Sequence, residues 1–136
     1  MRSLIRFTIA LMATFASFPL MAEEGNLAKP NLLLGQTVAG MPKAEHQELL
    51  VLTATFKPGD KTVYHTHRHP VTVYVLEGVF TLELEGRTPI VVKAGEALIE
   101  PPNVPMTGYN RSTSGPTRVV IFYVSDAGTP FLDLHD

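Results

Sequence analysis

Between positions 48 and 126 the chain sets short apolar runs between turn-forming residues. The apolar positions recur with the two-residue period of strands, not the 3.6-residue period of helices. ELLVLTATF (48–56) is rich in β-branched and aromatic residues and stops at Pro58-Gly59-Asp60, a turn signal. VTVYVLEG (71–78) ends at Glu77-Gly78. FTLELEG (80–86) sets Phe80, Leu82 and Leu84 against Thr81, Glu83 and Glu85, which predicts one buried face and one wet face. IVVKAGEALIEPPNVP (90–105) reads as two short strands about the turn Ala94-Gly95-Glu96, followed by a proline-rich loop. TRVVIFYVSD (117–126) is a final buried strand. Turns return roughly every 8 to 12 residues, the rhythm of an all-β sandwich or barrel. NLLLGQTV (31–38) is less legible: it suits an early strand or an arm packed on another subunit.

The first residues do not share this pattern. MRSLIRFTIALMATFASFPLMAEEGN begins with two arginines, runs apolar from Phe7 to Phe18, meets Pro19 and turns abruptly acidic after Ala22. This is the form of a secretory signal peptide over residues 1–22, with Ala22 the last residue removed, although Leu20 is bulkier than the ideal residue two places earlier. A membrane span needs roughly 20 apolar residues, and the proline interrupts this run well before that. The expected mature chain, 23–136, is a single domain, periplasmic or secreted and free of the membrane once cleaved. It has no cysteine, hence no disulfide and no lipid-bearing thiol. Loss of Arg2 and Arg6 takes the formal charge from −2 toward −4. The remaining basic residues are scattered, which excludes a phosphate-binding surface and with it nucleic acid as a partner.

Chemistry concentrates in HTHRHP, where His65, His67 and His69, three of five histidines, fall within five residues. Alternate residues of an extended segment project to one side, and imidazole is the commonest metal ligand near neutral pH. The stretch is therefore a metal site, the remains of one, or a polar strand end. His69 continues the parity of His65 and His67, but Pro70 makes a bend or bulge there the expectation. His46 and His135 stand alone and read as surface residues.

The segment from Gly59 to Asn110 resembles the two motifs of the cupin superfamily, small double-stranded β-helix (jelly-roll) barrels. Gly59, His65, His67 and Gly78 fall in register with the first motif, and Gly95, Pro101 and Asn110 with the second. The departures are as informative. Val71 stands where the family places a glutamate ligand, Met106 where it places its last histidine, and Asn103 where it places a glycine. The resemblance implies that Met106 points into the barrel toward His65 and His67. It would then be either a gap-filling core residue or a soft thioether ligand. The metal candidates are thus His65, His67, His69 and Met106. With glutamate lost and methionine gained, copper or zinc suits such a site best, and iron or nickel would also fit.

Two functions follow. One is a metal-dependent cupin enzyme, an oxygenase or other oxidoreductase or an isomerase, acting on a small molecule, with Tyr64, Tyr74, Tyr109 and Arg111 as weak candidates for substrate contact. The other is a non-catalytic module that binds a small molecule or copper at a degenerate metal site. No carboxylate occupies a motif position, which favours binding or redox chemistry over proton transfer. The resemblance also implies a homodimer formed by pairing sheets.

Overall fold

Alternation in sequence becomes burial in the computed structural model, which describes residues 25–135. Along strand β3 (Val71–Glu77), Val71, Val73 and Val75 are shut off from solvent, whereas Thr72 and Tyr74 are half-exposed. Each buried valine contributes about 1.5–3 kcal/mol through the apolar surface it removes from water. The same parity holds on β4 (Val79–Leu84), where Phe80, Leu82 and Leu84 are buried, with one exception: Thr81 is buried as well. The leader expected over residues 1–22 lies outside the described residues. The chain divides into the units Met1–Pro30 and Asn31–Asp136. Of the first, residues 25–30 are exposed and without regular secondary structure; among the described residues the strands lie in the second.

The remaining strands are β1 (Gln47–Phe56), β2 (His65–Thr66), β5 (Ile90–Lys93), β6 (Ala97–Glu100), β7 (Met106–Tyr109), β8 (Thr117–Asp126) and β9 (Asp133–Leu134). All pairings are antiparallel and form two sheets, one in the order β1-β8-β3-β6 and the other β5-β4-β7-β2-β9. No helix occurs among the described residues. The inner faces of the two sheets share one core, with Val71, Val73, Val119 and Tyr123 from the first and Phe80, Leu82, Leu84 and Met106 from the second. This is the jelly-roll expected from the sequence.

Three of the expected turns use glycine for its freedom at positive φ: Gly59 at 85°, Gly78 at 75° and Gly95 at 88°. Asn103, where the family motif has glycine, keeps the same left-handed backbone at φ 58°. Asparagine is among the few residues that tolerate that conformation, so the substitution preserves the turn. The ends of the two motifs meet: the Gly59 amide donates to the Asn110 carbonyl, and the buried Asn110 side chain donates to the carbonyls of Phe56 and Gly115. Residues 31–38 form no strand. They run as chain exposed up to the half-buried Val38, with Leu32 and Leu33 lining a surface depression beside Ile90 and Val91.

Candidate metal and ligand site

β2 is only two residues long and lies between β7 and β9, with His65 opposite Met106 on one side and Leu134 on the other. The chain then bends at Arg68 and His69 before Pro70, so the extended alternation stops at His67. His65 and His67 are 5% and 1% exposed, and their Nε2 atoms stand 3.1 Å apart. The Nδ1 of each ring is already committed: His65 Nδ1 donates to the Val63 carbonyl at 2.7 Å and His67 Nδ1 to the Phe131 carbonyl at 2.5 Å. A carbonyl can only accept, so these contacts place the proton on Nδ1 and leave Nε2 bare in the neutral ring. Burial lowers the pKa of His65 against the opposing pull of the Val63 carbonyl, which keeps that ring uncharged at neutral pH.

A third electron-rich atom joins them. Glu100, at the end of β6 and 6% exposed, places Oε2 3.2 Å from His67 Nε2. The site therefore brings two imidazole lone pairs and a carboxylate together at the inner face of the barrel. A single proton on His67 Nε2 can serve one of its two neighbours well, whereas a metal ion set between the two rings can accept from both. The separations of 3.1 and 3.2 Å fall between the donor–donor edges of an octahedron (about 3.0 Å) and a tetrahedron (about 3.4 Å) built on bonds near 2.1 Å. The contacts run as a chain from His65 through His67 to Glu100. Among the described residues no group of three or more His, Cys, Asp or Glu side chains is placed so that it could hold a metal ion.

Beside these donors lies a cavity of about 70 Å³, walled by Phe56, Thr62, Val73, Phe80, Gly108, Val119, Ile121, Phe131 and Leu132 together with His65, His67 and Glu100. The carboxyl-terminal strap closes one side. Phe131 packs its ring 4.9 Å from that of His67, and β9 pairs with β2. Arg68 donates twice to the Asp133 carboxylate, at 2.8 and 2.9 Å. Those hydrogen bonds hold the Asp133 carboxyl below its usual pKa, so the contact is complete at neutral pH and is lost only as pH falls through that depressed value.

The other sequence candidates do not line the cavity. His69 does not join the pair: its Nδ1 bonds the Gly40 carbonyl at 2.8 Å and its Nε2 faces Asp126 at 3.8 Å, because the bend before Pro70 breaks the parity it would have shared. Met106 is fully buried across from His65 but belongs to the apolar core, not to the cavity wall. Tyr64, Tyr74, Tyr109 and Arg111 do not line the cavity. Tyr64 donates to Glu85, and Arg111 stacks on Tyr109 and pairs with Glu83. His46 and His135 are exposed, as expected. Glu100 is the donor that the motif spacing did not reveal. Its signal lay in parity: Leu98 and Glu100 share one face of β6, so an inward Leu98 implies an inward carboxylate.

Residues 52–123 match the family model described as Cupin domain. Among solved structures, an uncharacterized conserved protein with a double-stranded β-helix domain from Klebsiella pneumoniae is 21% identical, with a TM-score of 0.56 over 74% of this chain and 90% of that one. A cupin-like protein from Thermotoga maritima is 22% identical, with a TM-score of 0.54 over 64% of each chain. The DMSP lyase DddQ from Ruegeria pomeroyi is 20% identical, with a TM-score of 0.55 over 63% of this chain and 42% of the lyase, so this chain spans less than half of that enzyme. At these identities the likeness is one of fold. No curated protein matches the chain.

Proposed function

The chain belongs to the cupin family, and from that premise we propose that its barrel holds one metal ion through His65 and His67 and binds a small molecule beside it, in the periplasm or outside the cell once the leader is removed. The observation that carries this reading is the pair of bare Nε2 atoms, 3.1 Å apart, each preset by a carbonyl on the far side of its ring. Such outer contacts fix the tautomer and orientation that ligation requires. A bound ion would supply Lewis acidity or a redox centre to an oxidoreductase. The protein's own part is to hold the two rings, exclude bulk water with Phe131 and Leu132, and present an apolar wall to the ligand. A cavity of about 70 Å³ takes a ligand of only a few non-hydrogen atoms, or the ionised end of a larger one.

A second reading, storage or sensing of the ion without turnover, draws support from the same wall. Its titratable groups are His65, His67 and Glu100, so with both rings on the ion a single carboxylate is left for proton transfer. Both readings require metal. Purified, untagged protein is expected to carry about one ion per chain by elemental analysis, and a metal content near zero after incubation with zinc, iron or copper and desalting would end both.

The same proposal pairs two copies of the chain. Leu49 and Val51 on β1 and Phe122 on β8 face outward, Val51 lying directly opposite Phe122, and β1 is an edge strand. Contiguous exposed apolar surface on an open sheet has a physical reason to be covered. Sedimentation equilibrium is expected to give twice the chain mass, with Val51→Glu returning the monomer.

A further inference from the structure

We propose that the carboxyl-terminal strap, residues 127–135, is the gate of the cavity: it swings about the turn at Gly128, and the Arg68–Asp133 pair latches it shut. The inference rests on the reading of that cavity as the ligand site. A ligand must pass a wall to reach it, and the walls differ in how firmly they are held. The strands that bear Val73, Phe80, Gly108 and Val119 (β3, β4, β7 and β8) each have hydrogen-bonded neighbours on both sides. β1, which brings Phe56, is paired along ten residues, and β6, which brings Glu100, along four. Phe131 and Leu132 are carried by a segment whose strand, β9, is paired along two: Asp133 with Thr66 and Leu134 with His65. The further ties of that segment are few. The His135 amide donates to the Tyr64 carbonyl at 3.1 Å, the Phe131 carbonyl accepts from His67 Nδ1, and the Phe131 ring packs on His67 and Tyr123. A segment held along one short edge opens by breaking few hydrogen bonds, and elements of that kind are the ones that move within a native fold.

Hinge and latch fit this role. Gly128 has a φ of 80°, and a Cβ built on it meets no atom within 4 Å, so the chain can turn there without a clash. The Arg68 and Asp133 side chains lie on the outside, 54% and 37% exposed, and meet in a two-bond fork. The fork fixes the closed position, and its exposure to water makes it easy to part. Closure also prepares the site, because it brings the Phe131 carbonyl that sets the His67 tautomer. Opening therefore uncovers the cavity and slackens His67 in one motion; a ligand enters the loosened site and is held by the shut one.

The test uses the full mature chain with chelator present and follows acylation of His65 by diethyl pyrocarbonate, read by peptide mass spectrometry against the exposed His46. His65 is 5% exposed and its bare Nε2 is the atom the reagent attacks, so the ring reacts only when a wall opens. The chain has no cysteine, so Thr66→Cys with Asp133→Cys, at directly paired positions of β2 and β9, gives a single disulfide across the strap. Oxidised, this variant is locked; reduced, it lacks the latch. Relative to wild type, acylation of His65 is expected to be about tenfold slower or more in the oxidised form and about three- to fivefold faster in the reduced form. Asp133→Ala, which removes the latch alone, is expected to show the same acceleration. A cross-link remote from the strap, Thr53→Cys with Val120→Cys on β1 and β8, controls for global stability and should leave the rate within about twofold of wild type. Equal rates in the oxidised and reduced strap variant, or equal slowing by both cross-links, would overturn the gate, since access would then run through another wall or through unfolding of the whole barrel. Should the strap pair resist oxidation, Asp133→Ala decides: acceleration supports the gate and an unchanged rate defeats it. None of these rates depends on metal, so a metal content near zero would defeat the metal reading above and leave the result for the strap standing.

Discussion

Replacing His67 with alanine is expected to abolish stoichiometric metal and to destabilise the barrel by about 2–4 kcal/mol. The ring is 1% exposed and lies against Tyr123 and Phe131, with centroids 5.8 and 4.9 Å away. Its removal leaves a void, strips the Phe131 carbonyl of its donor and leaves the Glu100 carboxylate without its recorded partner. His65→Ala is expected to lose the metal with a smaller structural penalty, since the carbonyl it abandons, that of Val63, is its near neighbour in sequence. Elemental analysis and urea denaturation read the two effects separately. Variants of both histidines that keep wild-type metal content would show that the ion, if present, sits elsewhere.

Gly78→Ala is expected to cost about 3–5 kcal/mol, lowering Tm by roughly 15 °C or more. Gly78 is the hinge between β3 and β4, the point at which the chain crosses from one sheet to the other. Its φ of 75° is left-handed, a conformation that disfavours a side chain by about 1–2 kcal/mol. The larger part of the penalty is steric. A Cβ there would stand 2.3 Å from the Pro116 carbonyl oxygen and 3.1 Å from Thr117 Cα, both of them backbone that cannot swing aside. Gly59 provides the control, having a similar φ of 85° but open space around a built Cβ. Gly59→Ala should therefore cost only the backbone part, about 1–2 kcal/mol. Equal losses at the two sites by thermal denaturation would show that φ alone, and not the closeness of β8, sets the requirement for glycine.

The long strands were legible because each alternates or runs apolar between strong turn residues. The stretches 48–56, 71–78, 80–86 and 117–126 all correspond to strands whose ends lie within one or two residues of expectation. The short ones were not. β2 and β9 have two residues each, too few for any period, and exist because the strands beside them supply partners. β7 (Met106–Tyr109) follows a run of prolines and carries Gly108, so local propensity argues against it; Gly108 is there because any Cβ would strike the Phe80 ring at 2.5 Å. At the site, the convergence of His65 and His67 followed from strand parity, and the departure of His69 from the proline that ends it. Glu100 escaped because a motif is measured along the chain, whereas its relation to Val71 is lateral, fixed by the β3–β6 register.

The two imidazoles acquire their tautomers on different scales. His65 is set by a carbonyl two residues away, within its own β2 neighbourhood, but His67 is set by Phe131, 64 residues further on. A half-folded chain thus offers one prepared nitrogen, and the second becomes available only when the last strand docks. On the proposed metal reading, ion capture would follow the docking of the last strand, and a misassembled barrel would be recognisable by its failure to retain cargo.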